Sequence, residues 1–161
     1  MICFHCGAEM KTKRENYKYD ASGLPGITLL GVEVSRCPKC GEHEVAIPAI
    51  EGLHRAIAHA LARKEPRLTA AEIRFLRKWL GWSGVDFAAH MGVAAETVSR
   101  WEAGTARMAV TADRLLRMMI VSKEPVSDYS IDMLKGVARS KAVPLRLGMH
   151  ARADGWHAEA A

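Results

Sequence analysis

The chain has 161 residues, of which 49% are apolar and 25% are charged, the balance of a folded protein rather than of a disordered one. No apolar run approaches the roughly 18 residues that a membrane span needs, and no secretory signal is recognisable, so we expect a soluble cytoplasmic protein. The 23 basic and 18 acidic residues give a net charge of +5, and residues 66–161 hold 14 and 10 of them. A surplus of this size is compatible with nucleic-acid binding without indicating it by itself.

All four cysteines lie in two copies of the motif Cys-x2-Cys-Gly, at residues 3–7 and 37–41. Two thiolates three residues apart can hold one edge of a tetrahedron around zinc, and a second such pair supplies the opposite edge. Four thiolates fill the coordination shell and leave no open position for a substrate. The pattern therefore predicts one structural, non-catalytic Zn²⁺ per chain, bound by four ligands: Cys3, Cys6, Cys37 and Cys40.

Other interpretations of the four thiols are free-thiol turns, a redox-active Cys-x2-Cys and disulfide bridges. A single motif would leave the redox interpretation open, whereas two copies with the same trailing glycine favour a metal. Disulfides fit poorly in a chain without a secretory signal.

The segment between the motifs indicates short strands, followed by a helix. Residues 16–19 and 30–34 partly alternate in polarity, and the glycines and proline of residues 23–26 indicate a turn. This pattern is typical of a small zinc ribbon, which depends on its metal for much of its folding energy. Residues 49–64 then change to a helical period, which ends before Pro66. We therefore predict a first domain over residues 1–65, a zinc ribbon with a trailing helix. The apolar face of that helix would consist of Ile50, Leu53, Ile57 and Leu61.

The second part of the chain predicts an all-α helix-turn-helix domain over residues 66–140. Thr69 and Glu72 have the spacing of a capping box, and Ser83 is a candidate N-cap for the next helix. Ala88 is small where two helices would cross, and Gly92 would make the turn. A third helix over about 95–102 would then enter the major groove of DNA. The alternative is a generic helical hairpin. The apolar residues of the small core would be Phe87, Met91, Val93, Val98 and Trp101.

The groove-facing side of the third helix is predicted to consist of Ala95, Glu96, Thr97, Ser99 and Arg100. Arg100 suits a bidentate pair with guanine, with a phosphate contact as the alternative. Thr97 and Ser99 suit hydrogen bonds to the DNA backbone or to bases. Glu96 could accept a hydrogen bond from a cytosine amino group, or it could instead cap the helix N-terminus.

Two further segments follow the third helix. Residues 112–121 predict a fourth helix, and Ile131, Leu134 and Val137 mark a shorter one. Residues 141–161 contain Pro144, Gly148 and Gly155 without a clear period, so this tail is predicted to be disordered.

The two cysteine motifs, followed by a helix-turn-helix whose third helix ends SRWEAG at 99–104, resemble the MqsA-type antitoxins, also called YgiT-type zinc-finger proteins. The second half alone resembles the Cro/repressor (Xre) class. The resemblance implies a zinc domain that binds an mRNA-cleaving toxin, and a C-terminal domain that dimerises on a palindromic operator in its own promoter. It also implies that the four cysteines hold zinc and that Arg100 reads a base. The family has asparagine at the position of Glu96.

We therefore expect an α+β protein that is not an enzyme and acts as the antitoxin and autorepressor of a type II toxin-antitoxin operon. One alternative is a stand-alone zinc-ribbon and helix-turn-helix regulator without a toxin, whose ribbon serves dimer geometry or metal or thiol sensing. Another is a thiol-disulfide enzyme. The junction over residues 63–67 has little apolar content. We therefore predict that it does not fix the two halves against each other and that each half functions alone.

Overall fold

The computed structural model describes residues 1–123, 129, 137 and 141–160. They form the mixed α+β fold that the sequence predicts, with a strand-rich N-terminal part followed by helices. In chain order the elements are β1 (Lys11–Lys18), β2 (Ile27–Arg36), β3 (His43–Ala46), α1 (Ile50–Arg63), α2 (Ala70–Trp79), α3 (Gly84–Met91), α4 (Ala95–Ala103), α5 (Val110–Lys123), β4 (Leu147–Arg152) and β5 (Gly155–Ala160). Most of the predicted short helix, including Ile131 and Leu134, lies outside the described residues. Within the described residues, no helix is long and apolar enough to span a bilayer.

The sheet is built around β2, which pairs antiparallel with β1 along most of its length, with a register shift between Glu15 and Tyr17. The other edge of β2 is shared by two strands. Strand β3 pairs antiparallel with residues 33–36, and β4 pairs parallel with residues 27–29. Strand β5 then pairs with β4 and forms the outer edge. The ribbon predicted from the sequence is therefore present as β1 to β3, but a second hairpin extends it.

That hairpin corrects the prediction of a disordered tail, which is wrong for residues 147–160. Met149 is fully buried, and the indole Nε1 of Trp156 donates a hydrogen bond of 2.8 Å to the carbonyl oxygen of Pro48. A Cβ at Gly148 would lie 2.4 Å from Leu30 Cδ1 and 3.1 Å from Leu30 Cγ, so a larger residue there would require the Leu30 side chain to move. The glycine inside β4 and the few apolar positions of the hairpin hide the strand pattern from the sequence.

One large hydrophobic core runs through both halves of the chain, and a small separate cluster of Cys3, Met10 and Cys37 lies at the cysteine motifs. Helix α1 packs against α2, α5 and β5. Leu53, Ile57 and Leu61 of the predicted apolar face are buried, whereas Ile50, at the start of the helix, is exposed. The core contains residues from β2, α1, α2, α4, α5 and the C-terminal hairpin, so the strand-rich part and the helices are packed together.

The expectation that the junction over residues 63–67 does not hold the halves together is wrong. The last carbonyls of a helix lack partners inside the helix and need donors from elsewhere. Arg117 of α5, which is only 1% exposed, donates to the carbonyl oxygens of Ala62, Lys64 and Pro66, the last at 2.8 Å. Its Nε also lies 2.7 Å from a carboxylate oxygen of Asp113. The junction is therefore bound to the helix-turn-helix part by a buried guanidinium.

A second buried ion pair joins the end of α1 to the start of α2. Lys64 Nζ lies 2.6 Å from Glu72 Oε2, and both side chains are almost completely buried. Glu72 also accepts a hydrogen bond of 2.9 Å from the backbone N–H of Leu145, and Lys64 donates to the carbonyl of Val143. Glu72 thus connects the end of α1, the start of α2 and the segment that leads into β4.

Candidate metal centre and nucleic-acid interface

The two cysteine motifs fold into the same tight turn. In the first, the N–H of Gly7 donates to the carbonyl of Cys3 at 2.9 Å, and in the second the N–H of Gly41 donates to the carbonyl of Cys37 at 3.0 Å. Gly7 and Gly41 have φ values of 70° and 78°, in the left-handed region that favours glycine. This local requirement explains why glycine follows the second cysteine in both motifs.

The fold brings the four predicted ligands together. All four Sγ atoms lie within 4.8 Å of one another, with 3.6 Å between those of Cys3 and Cys40 and 3.4 Å between those of Cys6 and Cys37. A tetrahedral zinc site with Zn–S bonds of about 2.3 Å places its sulfurs about 3.8 Å apart. A disulfide needs a separation of about 2.05 Å. The cluster therefore fits a structural metal ion.

The ionisation of the thiols also favours a cation. The backbone N–H of Cys40, assisted by that of Lys39 and by the Cys6 thiol, lowers the pKa of Cys37 to about 6. For Cys40, the lowering effect of the Glu42 backbone N–H is outweighed by burial and by the neighbouring sulfurs, which raise its pKa to about 12. A thiolate at Cys37 thus disfavours a second one at Cys40, and a bound cation would relieve that repulsion.

The helix-turn-helix forms with the caps that the sequence predicts. Thr69 with Glu72 caps α2, and Ser83 with Asp86 caps α3, each as a complete capping box. Gly92 ends α3 with a φ of 66°, in the predicted turn. Of the predicted small core, Phe87, Val98 and Trp101 are buried, and Met91 and Val93 are half-buried; the small Ala88 is buried as well. These contacts fix α3 and α4 against each other.

An ion-pair cluster that the sequence analysis missed sets the angle of α4 against α2. Glu102, on α4, accepts from Nε of Arg77 and, at 3.0 Å, from its Nη2. Arg77 Nη1 also donates a hydrogen bond of 2.9 Å to the carbonyl of Trp82, in the loop before α3. Hydrogen bonding to Glu102 raises the pKa of Arg77. The only sequence signal for this cluster was Glu102 itself, inside the SRWEAG segment.

The predicted DNA-binding residues share one side of α4. Ala95, Glu96, Ser99 and Arg100 are exposed, and Thr97 is half-buried at the edge of this face. Within the described residues, neither the Glu96 carboxylate nor the Arg100 guanidinium makes a hydrogen bond or an ion pair. Both charged groups are therefore free to contact a ligand.

A small residue at the helix crossing, a glycine turn and an exposed second helix define a helix-turn-helix, a DNA-binding unit. Residues 73–121 match the family described as Helix-turn-helix, so this part of the chain is a helix-turn-helix domain of the class found in DNA-binding regulators. No curated protein and no solved structure matches the chain.

Proposed function

We propose that the protein is a sequence-specific transcriptional regulator and the antitoxin and autorepressor of a type II toxin-antitoxin operon. The observation that carries the regulatory part is the helix-turn-helix domain with α4 exposed. The antitoxin part rests on the presence of a four-cysteine cluster in the same chain, the combination that resembles the MqsA-type antitoxins. Residues 1–65 would hold the metal and bind the toxin, and residues 66–140 would bind DNA.

On DNA, α4 would lie in the major groove and present the predicted set of Ala95, Glu96, Thr97, Ser99 and Arg100. The guanidinium of Arg100 is unpaired within the described residues and can form two parallel hydrogen bonds with O6 and N7 of guanine. Proteins with this motif bind as dimers to two half-sites about one helical turn apart. We therefore propose a homodimer on a palindromic operator.

The metal in this proposal is one structural Zn²⁺ per chain, held by Cys3, Cys6, Cys37 and Cys40. Four soft thiolates in a tetrahedral arrangement suit zinc, and a closed shell gives it no catalytic position. The ion would stabilise the two turns and the ends of β2 and β3 that connect to them. This role assigns no reaction to the site.

A second candidate function is a stand-alone regulator without a toxin. The shared core favours it, because α1 packs both against β5 of the sheet and against α2 and α5 of the helical part. In that case the cysteine-bearing half would serve the architecture of the DNA-binding unit instead of a separate partner.

Selection from a library of randomised DNA duplexes, with the full chain as bait, tests the regulatory proposal. The expected result is enrichment of one palindrome, bound by a dimer in light scattering, with Arg100→Ala losing the preference at one base pair in each half-site. Failure of the wild-type chain to enrich any sequence would contradict DNA reading. Co-expression with the product of the adjacent gene then separates the two candidates, because only an antitoxin retains that product through purification.

A further inference from the structure

The exposed face of α4 carries two opposite charges one turn apart, and they do not pair with each other. Glu96 and Arg100 are four residues apart, in the order that favours an ion pair on a helix. Yet neither side chain makes a hydrogen bond or salt bridge within the described part of the chain, and both are exposed. We propose that Glu96 is a specificity-determining residue that accepts a hydrogen bond from a cytosine amino group, beside the guanine read by Arg100. This inference rests on the proposed function.

The alternative role of Glu96 as a helix cap has no hydrogen bond to support it. The N-cap of α4 is Ala94, whose side chain cannot cap, and no carboxylate oxygen of Glu96 accepts from the first turn. Helices α2 and α3, by contrast, both use their third residue, Glu72 and Asp86, to complete a capping box. An acidic side chain in the first turn of α4 therefore has no local partner, although it remains favourable with the helix dipole.

The chemistry of a carboxylate restricts what it can read in the major groove. An ionised Glu only accepts hydrogen bonds, and guanine and thymine present acceptors there. Adenine N6 lies between two acceptors, N7 of the same base and O4 of the paired thymine, whereas cytosine N4 has an acceptor on one side only, O6 of the paired guanine. Cytosine is therefore the base that satisfies Glu96 with the least repulsion.

The spacing sets how far apart the two contacts lie. Four helical residues advance about 6 Å along the axis, which corresponds to between one and two base-pair steps of about 3.4 Å. Each half-site should thus contain a cytosine and a guanine that belong to different base pairs, on either strand, one or two steps apart. Because phosphates repel Glu96 wherever its carboxylate has no donor, the residue should lower affinity for random DNA and so sharpen selectivity.

The test compares the full-length wild type with Glu96→Gln. As a matched control, Glu51→Gln removes the same charge from an exposed position on α1. A duplex selected by the wild type is varied at the cytosine position, and fluorescence anisotropy gives the dissociation constant for each of the four bases. The ratio of these constants cancels any uniform gain in affinity from the lost negative charge.

The expected result is a cytosine preference of about 5- to 10-fold in the wild type and in Glu51→Gln. In Glu96→Gln it should be lost or shifted toward adenine, because glutamine pairs with N6 and N7 of that base. If Glu96→Gln keeps the wild-type preference and only binds all duplexes more tightly, the residue acts through its charge alone and the inference is wrong. If the wild type selects no duplex at all, the proposed DNA-binding function fails, which is a different and distinguishable result.

Discussion

Replacing Arg117 by methionine tests whether the junction joins the two halves into one folding unit. Methionine keeps an unbranched, flexible side chain but is shorter, carries no charge and donates no hydrogen bond. The change would leave the buried Asp113 without its nearest cation, which lies 2.7 Å away in the wild type. It would also remove the donor for the carbonyls of Ala62, Lys64 and Pro66.

The expected loss in the free energy of unfolding follows from the Asp113 carboxylate, which stays buried after the substitution. Removing one partner of a buried ion pair costs about 3–5 kcal/mol. Asp113 would keep only the more distant Arg67, at 3.9 Å, and the backbone N–H of Leu68, so we expect a cost in this range. For a chain of this size, each kcal/mol lowers the melting temperature by about 2–4 °C, so we expect a drop of roughly 6–20 °C. The double variant Arg117→Met with Asp113→Asn removes the stranded charge and should recover part of the loss.

Urea and thermal unfolding followed by circular dichroism provide the measurement. A shared core predicts one cooperative transition for the wild type, because separating α1 from α5 exposes apolar surface on both halves. As a control, Arg152→Met removes an arginine from an exposed position on β4 and should leave stability within about 0.5 kcal/mol. A change below about 1 kcal/mol in Arg117→Met, or two separate transitions in the wild type, would refute the reasoning.

Three other perturbations address the cluster, the hairpin and pH. Elemental analysis should find one metal ion per wild-type chain and none in Cys37→Ser. Loss of the ion should also lower the melting temperature of the whole chain. A metal-free variant with unchanged stability would contradict this. Gly148→Val should displace β4 from Leu30 at a cost of about 1–3 kcal/mol, seen as faster exchange of the Trp156 indole proton, and an unchanged exchange rate would count against it. Burial lowers the pKa of His54 below its ordinary 6.5, so its contribution to stability is present above that pH and is lost as pH falls toward the folded-state pKa; His54→Gln should flatten this acid dependence.

The features that could be predicted from the sequence are those set by local chemistry. The capping boxes at Thr69 and Ser83 and the turn at Gly92 each depend on residues within a few positions, and the structure has all three. The cysteine cluster belongs to this group as well, because a metal site of two short motifs is encoded in their spacing.

The features that the sequence did not reveal depend on contacts between distant residues. Lys64 and Arg67 resemble the charged residues of an exposed linker, and only the approach of α2 and α5 buries them. In the sequence, Gly148 likewise resembles a glycine that interrupts secondary structure in a disordered tail. Only the structure shows that it lies against Leu30. Whether a charge is buried, or whether a glycine has a close neighbour, thus depends on residues that are distant in the sequence. Hydrophobic periodicity cannot identify those residues.

These long-range contacts bear directly on how DNA would be read. The face of α4 is aligned by Glu102 and Arg77 of α2, and α2 begins at the capping box whose Glu72 binds Lys64 at the end of α1. Helix α1 in turn lies against the sheet that carries the cysteine cluster at its far end. A metal that stabilised the strands would therefore also stabilise the helices. Strands and helices share the large hydrophobic core, so they are expected to unfold together. A regulator built in this way would need its cysteine-bearing half for stable presentation of α4, whether or not that half also binds a toxin.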